Sequence, residues 1–145
     1  MKPTLRGLFL RQRRLDSLAL RTFMWSSWSH VAVVNPHTGS DVIDATFFHG
    51  VALRRIDAVL GRASQYAFKD VECPDPVAAW DWCTSQIGKP YDVPGVLGIA
   101  LHRDWQKEDA FFCSELFELA LKAGGRQRFI GKVHRVTPEH SWMVI

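Results

Sequence analysis

Phe111-Phe112-Cys113-Ser114-Glu115-Leu116-Phe117-Glu118-Leu119-Ala120-Leu121-Lys122-Ala123-Gly124-Gly125 is the stretch on which the fold turns. Leu116, Leu119, Ala120 and Ala123 recur at helical spacing and a glycine pair closes the run, which predicts an amphipathic helix. Its reactive side chain, Cys113, stands at the start. A thiol there feels the positive end of the helix dipole, which favours the thiolate. Burial as a small inert core residue is the commoner fate of a free cysteine. Position alone therefore assigns no role, and the partners must come from elsewhere in the chain.

The nearest set of partners is in the first third. His30-Val31-Ala32-Val33-Val34 is β-branched and apolar and ends at Asn35-Pro36, a strand followed by a turn signal. After His37-Thr38-Gly39-Ser40, a second strand reads Asp41-Val42-Ile43-Asp44-Ala45-Thr46. Residues 30–46 thus predict a β-hairpin, with His30 opening one strand and Asp44 near the end of the other. In an antiparallel pair these positions come close enough for an imidazole and a carboxylate to meet. A capped turn with an ordinary polar edge is the plain structural alternative.

The remaining segments frame these two. Residues 1–21 are basic, with Arg6, Arg11, Arg13, Arg14 and Arg21 reading as a solvated face rather than a membrane or cell-wall contact. Leu15, Leu18 and Ala19 predict a helix over about 15–24. Phe47 to Leu53 is expected to continue the sheet, and Ile56 to Leu60 to form a helical turn stopped by Gly61. Gln65 to Cys73 alternates as a strand. Asp75-Pro76 opens a helix that passes Trp80, Trp82 and Cys83 to Ile87 and stops at Gly88. Lys89-Pro90-Tyr91-Asp92 is a turn. Val93 to Leu101 is a short helix or packed loop whose Gly95 and Gly98 do not make a phosphate loop. His102 to Asp109 is charged and exposed, Val133 to Thr137 reads as a final strand, and Thr137-Pro138-Glu139 opens a last helical turn.

Composition bounds the function. A chain of 145 residues, 47% hydrophobic and 23% charged, makes one globular domain, 1–145, with a sizeable core. A formal charge of +3 is too weak to argue a nucleic-acid partner. Cys73, Cys83 and Cys113 are an odd number without a C-x-x-C pair, which excludes a disulfide scaffold and a cysteine-based zinc site and fits a reducing compartment. No run reaches the roughly 20 apolar residues of a transmembrane helix. Arg11, Arg13 and Arg14 interrupt the N-terminal stretch where a signal peptide needs its apolar region, so the expected location is cytoplasmic.

Histidine on a strand, acid on the paired strand and cysteine on a later helix are the three parts that thiolate chemistry needs. His30 would take the thiol proton and later protonate the leaving group. Asp44 would hold the imidazole tautomer, and Cys113 would attack a carbonyl. Here the chain also resembles a family. Trp28-Ser29-His30-Val31-Ala32-Val33-Val34, Val42-Ile43-Asp44-Ala45, Gly88-Lys89-Pro90-Tyr91-Asp92 and Phe112-Cys113-Ser114-Glu115-Leu116 are similar to the circularly permuted branch of the NlpC-type papain-like superfamily. That branch contains YiiX-like proteins and lecithin retinol acyltransferase. The resemblance covers about 15–142 and includes Val136-Thr137-Pro138 as a tail element.

The resemblance implies an α+β permuted papain-like fold, a small antiparallel sheet packed on the helix that carries the cysteine. It implies Cys113 as nucleophile, His30 as base and Asp44 as the third polar residue, where many relatives carry Glu or His. Tyr91 is implied as a possible oxyanion or substrate residue, with a turn tyrosine plugging the core as its equal alternative. No metal and no cofactor are expected. The implied activity is a cysteine hydrolase working through an acyl-enzyme, with a cell-wall peptidoglycan peptide as first substrate and a lipid-like acyl ester, hydrolysed or transferred, as second. A non-catalytic binding or phage structural module is the rival from another class. The segment Tyr91 to Gly98 is most similar to phage- and prophage-encoded versions, which would make the protein virion-associated. Oligomeric state is not legible.

Overall fold

The computed structural model describes residues 1–12, 27–91, 112–131, 133 and 136–144. The helix expected over 15–24 and the segments expected from Val93 to Leu101 and from His102 to Asp109 lie outside them. Five strands form one antiparallel sheet: β1 (Thr4–Gln12), β2 (His30–Val34), β3 (Asp41–Thr46), β4 (Gly50–Arg55) and β5 (Ala63–Glu72), in the order β4-β3-β2-β1-β5. Four helices accompany it among the described residues: α1 (Ile56–Leu60), α2 (Pro76–Ser85), α3 (Cys113–Ala123) and α4 (Pro138–Met143). The class is α+β.

The alternation of the inner strands divides the apolar side chains between two cores. Leu5, Phe9, Val31, Val33, Ile43 and Ala45 join Leu116, Phe117, Ala120 and Leu121 of α3 in the larger one. Leu8, Leu10, Ala32, Val34 and Val42 make the smaller one with Val59 and Ala63. An inner strand buried on both sides reads as a continuous apolar run, not as an alternating one. That is why β1, with Leu8-Phe9-Leu10 set among arginines, was not expected as a strand. Arg6, read as a solvated charge, lies opposite Asp70 of β5 and makes a two-pronged ion pair with it, 2.7 and 2.9 Å. Both partners are exposed, so the pair adds at most about 1 kcal/mol and serves chiefly to set register.

The hairpin and the central helix form as their patterns require. Val33 pairs with Ile43 and Val34 with Val42 across β2 and β3. Asp75 caps α2 by accepting from the Ala78 N–H at 2.9 Å, with Pro76 in the first turn. In α3 the buried side is wider than expected: Phe117 and Leu121 are fully enclosed, whereas Ala123 is exposed. A Cβ added at Gly7 of β1 would lie 2.9 Å from the Phe117 ring, so the sheet and α3 touch where β1 has no side chain. Gly7→Ala is therefore expected to push α3 off the sheet and cost about 1–3 kcal/mol. Thermal unfolding should show a Tm lowered by several degrees; an unchanged Tm would mean that Phe117 repacks freely.

Two expectations are corrected. Of the stretch from Phe47 to Leu53, Gly50 to Leu53 continue the sheet in β4, whereas Phe47, Phe48 and His49 form the turn between β3 and β4. The stretch from Val133 to Thr137 does not join the sheet in its described part. Val133 is in a 3₁₀ turn, the Val136 carbonyl accepts from the Ser114 hydroxyl at 2.5 Å, and Thr137 caps α4 in a reciprocal pair with His140. Those partners meet polar groups that a strand ladder would otherwise have met.

Candidate active site

Three elements bring their first or near-last residues to one place. His30 is the first residue of β2, Cys113 the first of α3, and Asp44 stands on β3. The Nε2 of His30 lies 2.6 Å from the Oδ2 of Asp44, and both side chains are buried. Cys113 is electrostatically coupled to the His30 side chain. With Nε2 held by the acid, Nδ1 is the ring nitrogen left for sulfur. An Nε2–H donated to Asp44 makes Nδ1 the lone-pair nitrogen of the neutral ring, the tautomer that can accept a thiol proton.

The electrostatics follow from these contacts. Burial by itself pushes the His30 pKa down. Negative charge on Cys113, the hydrogen bonds to Asp44 and Cys113, and the Asp44 charge more than offset this and raise it to about 10. Burial likewise pushes Asp44 up, but the His30 hydrogen bond and charge, then those of Arg54, hold its carboxyl below the ordinary value. Cys83 has no such partner: burial alone raises its thiol, as expected for an inert core cysteine. Burial raises Cys73 too, and its Sγ lies 3.6 Å from the Gly124 carbonyl. All three thiols are free.

Around Cys113 the packing is tight. The residue is 4% exposed, and its neighbour Ser114 is tied to Val136. The backbone N–H of Cys113 opens the helix and so has no acceptor within it.

Tyr91 follows the segment that lies against the start of β4. Val51 N–H donates to the Lys89 carbonyl at 2.8 Å and Gly88 N–H to the Val51 carbonyl at 2.9 Å, so the segment before Tyr91 is zipped onto the start of β4. Gly50, at φ +60°, is required there, because a Cβ would lie 2.2 Å from the Lys89 carbonyl oxygen. Tyr91 is partly buried against the larger core and sits edge-on to Phe47, with ring centroids 6.4 Å apart.

One polar residue of the site was not anticipated. Arg54 on β4 donates from Nε to the Asp44 Oδ1 at 3.0 Å and from Nη2 to Oδ2. Its cross-strand partner is Val42, one pleat repeat along from Asp44. The sequence pattern hides it: alternation by hydrophobicity would turn Leu53 inward and Arg54 out, yet Leu53 is 54% exposed and the Arg54 side chain only 18%.

Among the described residues, no group of three or more His, Cys, Asp or Glu side chains is placed to hold a metal ion, and no helix is long and apolar enough to cross a membrane. No model of a known protein family matches the chain, and no curated protein sequence matches it.

Proposed function

We propose that the protein is a cysteine hydrolase of permuted papain-like fold, with Cys113 as nucleophile, His30 as base and acid, and Asp44 as the orienting carboxylate. The observation that supports this reading is one buried imidazole 2.6 Å from a buried carboxylate and electrostatically coupled to Cys113. His30 takes the thiol proton at Nδ1, giving a thiolate beside an imidazolium. Sulfur attacks the substrate carbonyl carbon, and the backbone N–H of Cys113 is a donor available to the developing oxyanion. The tetrahedral adduct collapses as Nδ1–H protonates the leaving amine or alcohol, which breaks the scissile bond and leaves a thioester. Water then attacks the thioester carbonyl, His30 takes its proton, and the acid product leaves as Cys113 is freed.

A peptide or amide bond of cell-wall peptidoglycan is the first substrate. Lipid ester hydrolysis or acyl transfer is the second reading, and one observation favours it: Phe47 and Phe48 are exposed at the β3–β4 turn with ring centroids 5.0 Å apart, an apolar pair suited to an acyl chain. Turnover of peptidoglycan fragments and of short-chain esters tests the two. Activity on neither, with an unreactive Cys113, would favour the non-catalytic module.

The pH dependence is expected to follow His30. Its proton, needed by the leaving group, is retained up to about pH 10, so kcat/KM should fall as pH rises through about 10. In Asp44→Asn the carboxylate charge that helps raise His30 is gone, and this alkaline limb should move to lower pH. The sign for stability is the same: the His30 contribution is complete below about 6.5 and is lost as pH rises through about 10. A pH–rate profile with the same alkaline limb in both proteins would contradict the assignment.

A further inference from the structure

We infer that Arg54 is a positioning residue of this site, its guanidinium fork fixing both oxygens of Asp44 so that the carboxylate stays ionised and aimed at His30 throughout the reaction. The inference rests on the proposed catalytic reading. Oδ1 of Asp44 accepts from Nε, and Oδ2 accepts from Nη2 as well as from His30 Nε2. With both oxygens bound by the planar fork, the carboxylate cannot rotate without losing charge-assisted hydrogen bonds.

The chemistry gives the fork a second use. Asp44 has no exposed surface, and a buried carboxylate needs a cation beside it. His30 is that cation only while it holds the extra proton. When Nδ1–H passes to the leaving group, His30 becomes neutral and Asp44 would be left without a counter-charge. The guanidinium of Arg54 supplies that charge in both halves of the cycle. The local sequence supports a purpose beyond packing: β4 turns a guanidinium inward and leaves Leu53 outside, against the preference of both side chains.

The test uses the rate at which iodoacetamide alkylates Cys113 at pH 6.5, followed by mass spectrometry of the intact protein and its peptides. Arg54→Met is expected to slow alkylation roughly tenfold. Asp44→Asn should slow it too, and the Arg54→Met/Asp44→Asn double variant should be no slower than Asp44→Asn alone, because Arg54 acts through Asp44. Arg54→Lys keeps the charge but not the fork, and should be slower than wild type and faster than Arg54→Met. A wild-type rate in Arg54→Met, or a double variant slowed by the full product of the single effects, would overturn the inference. Should Arg54→Met not fold, Arg54→Lys decides: slowed alkylation supports the fork and a wild-type rate overturns it. His30→Ala separates the two levels. If it labels as fast as wild type, the catalytic reading itself fails. If it labels slowly while the Arg54 variants match wild type, only the positioning role fails.

Discussion

Cys113→Ser is expected to fold like the wild type and to lose turnover by a factor on the order of 10⁴ or more. The fold should survive because sulfur and oxygen differ little in size. Turnover should not, because a hydroxyl is a far weaker nucleophile when its base is matched to a thiol. His30→Ala should be nearly as severe, since in the proposed mechanism His30 both accepts the thiol proton and protonates the leaving group. Asp44→Asn should be milder: the amide still bonds Nε2 but cannot offset the imidazolium charge. Steady-state kinetics on peptidoglycan fragments and short-chain esters, with circular dichroism to check the fold, would show the order Cys113 ≥ His30 > Asp44. Full activity of Cys113→Ser on either substrate would rule out covalent thiol catalysis.

The largest expected effect on stability lies away from the site. Arg128 and Glu118 form an ion pair whose side chains are almost wholly enclosed. The guanidinium also donates to the carbonyls of Val144 at 2.6 Å and Ser141 at 3.1 Å, and the Ser141 hydroxyl donates to Glu118 at 2.6 Å. Arg128 thereby ties α4 and the residues after it to α3, while its Cζ lies 5.7 Å from the Phe117 ring centre. Removing one partner of such a pair leaves the other charge buried without compensation. Arg128→Met should therefore cost about 3–5 kcal/mol. Urea unfolding should show a markedly lower midpoint, and Arg128→Met/Glu118→Gln should recover part of the loss. A midpoint unchanged in the single variant would mean that water reaches Glu118.

How much of this was legible depended on whether a residue's chemistry agreed with its local pattern. His30 and Asp44 were readable because a β-branched hairpin brings its ends together whatever surrounds it, and Cys113 because a glycine-closed amphipathic run marks its own start. The capped starts of α2 and α4 were readable for the same reason: Asp75-Pro76 and Thr137-Pro138 carry their capping chemistry within a few residues. β1 was not, since its arginines mask a doubly buried strand and its strand partners lie far along the chain. Arg54 was not, because its inward turn is set by Asp44 across the sheet, against its own solvation preference. The segment from Val133 to Thr137 reads as a strand by β-branched content alone, yet in its described part Val136 meets the Ser114 hydroxyl and Thr137 the His140 cap, which no local pattern announces.

The central claim is that His30 activates Cys113. Carboxamidomethylation of the three cysteines by iodoacetamide near neutral pH, followed site by site by mass spectrometry in wild type and His30→Ala, tests it most directly. All three thiols are buried, so a difference in rate reports activation: Cys113 should label well ahead of Cys73 and Cys83 in the wild type, and that lead should vanish in His30→Ala. A Cys113 that labels no faster than Cys73, or as fast without His30 as with it, would contradict the account.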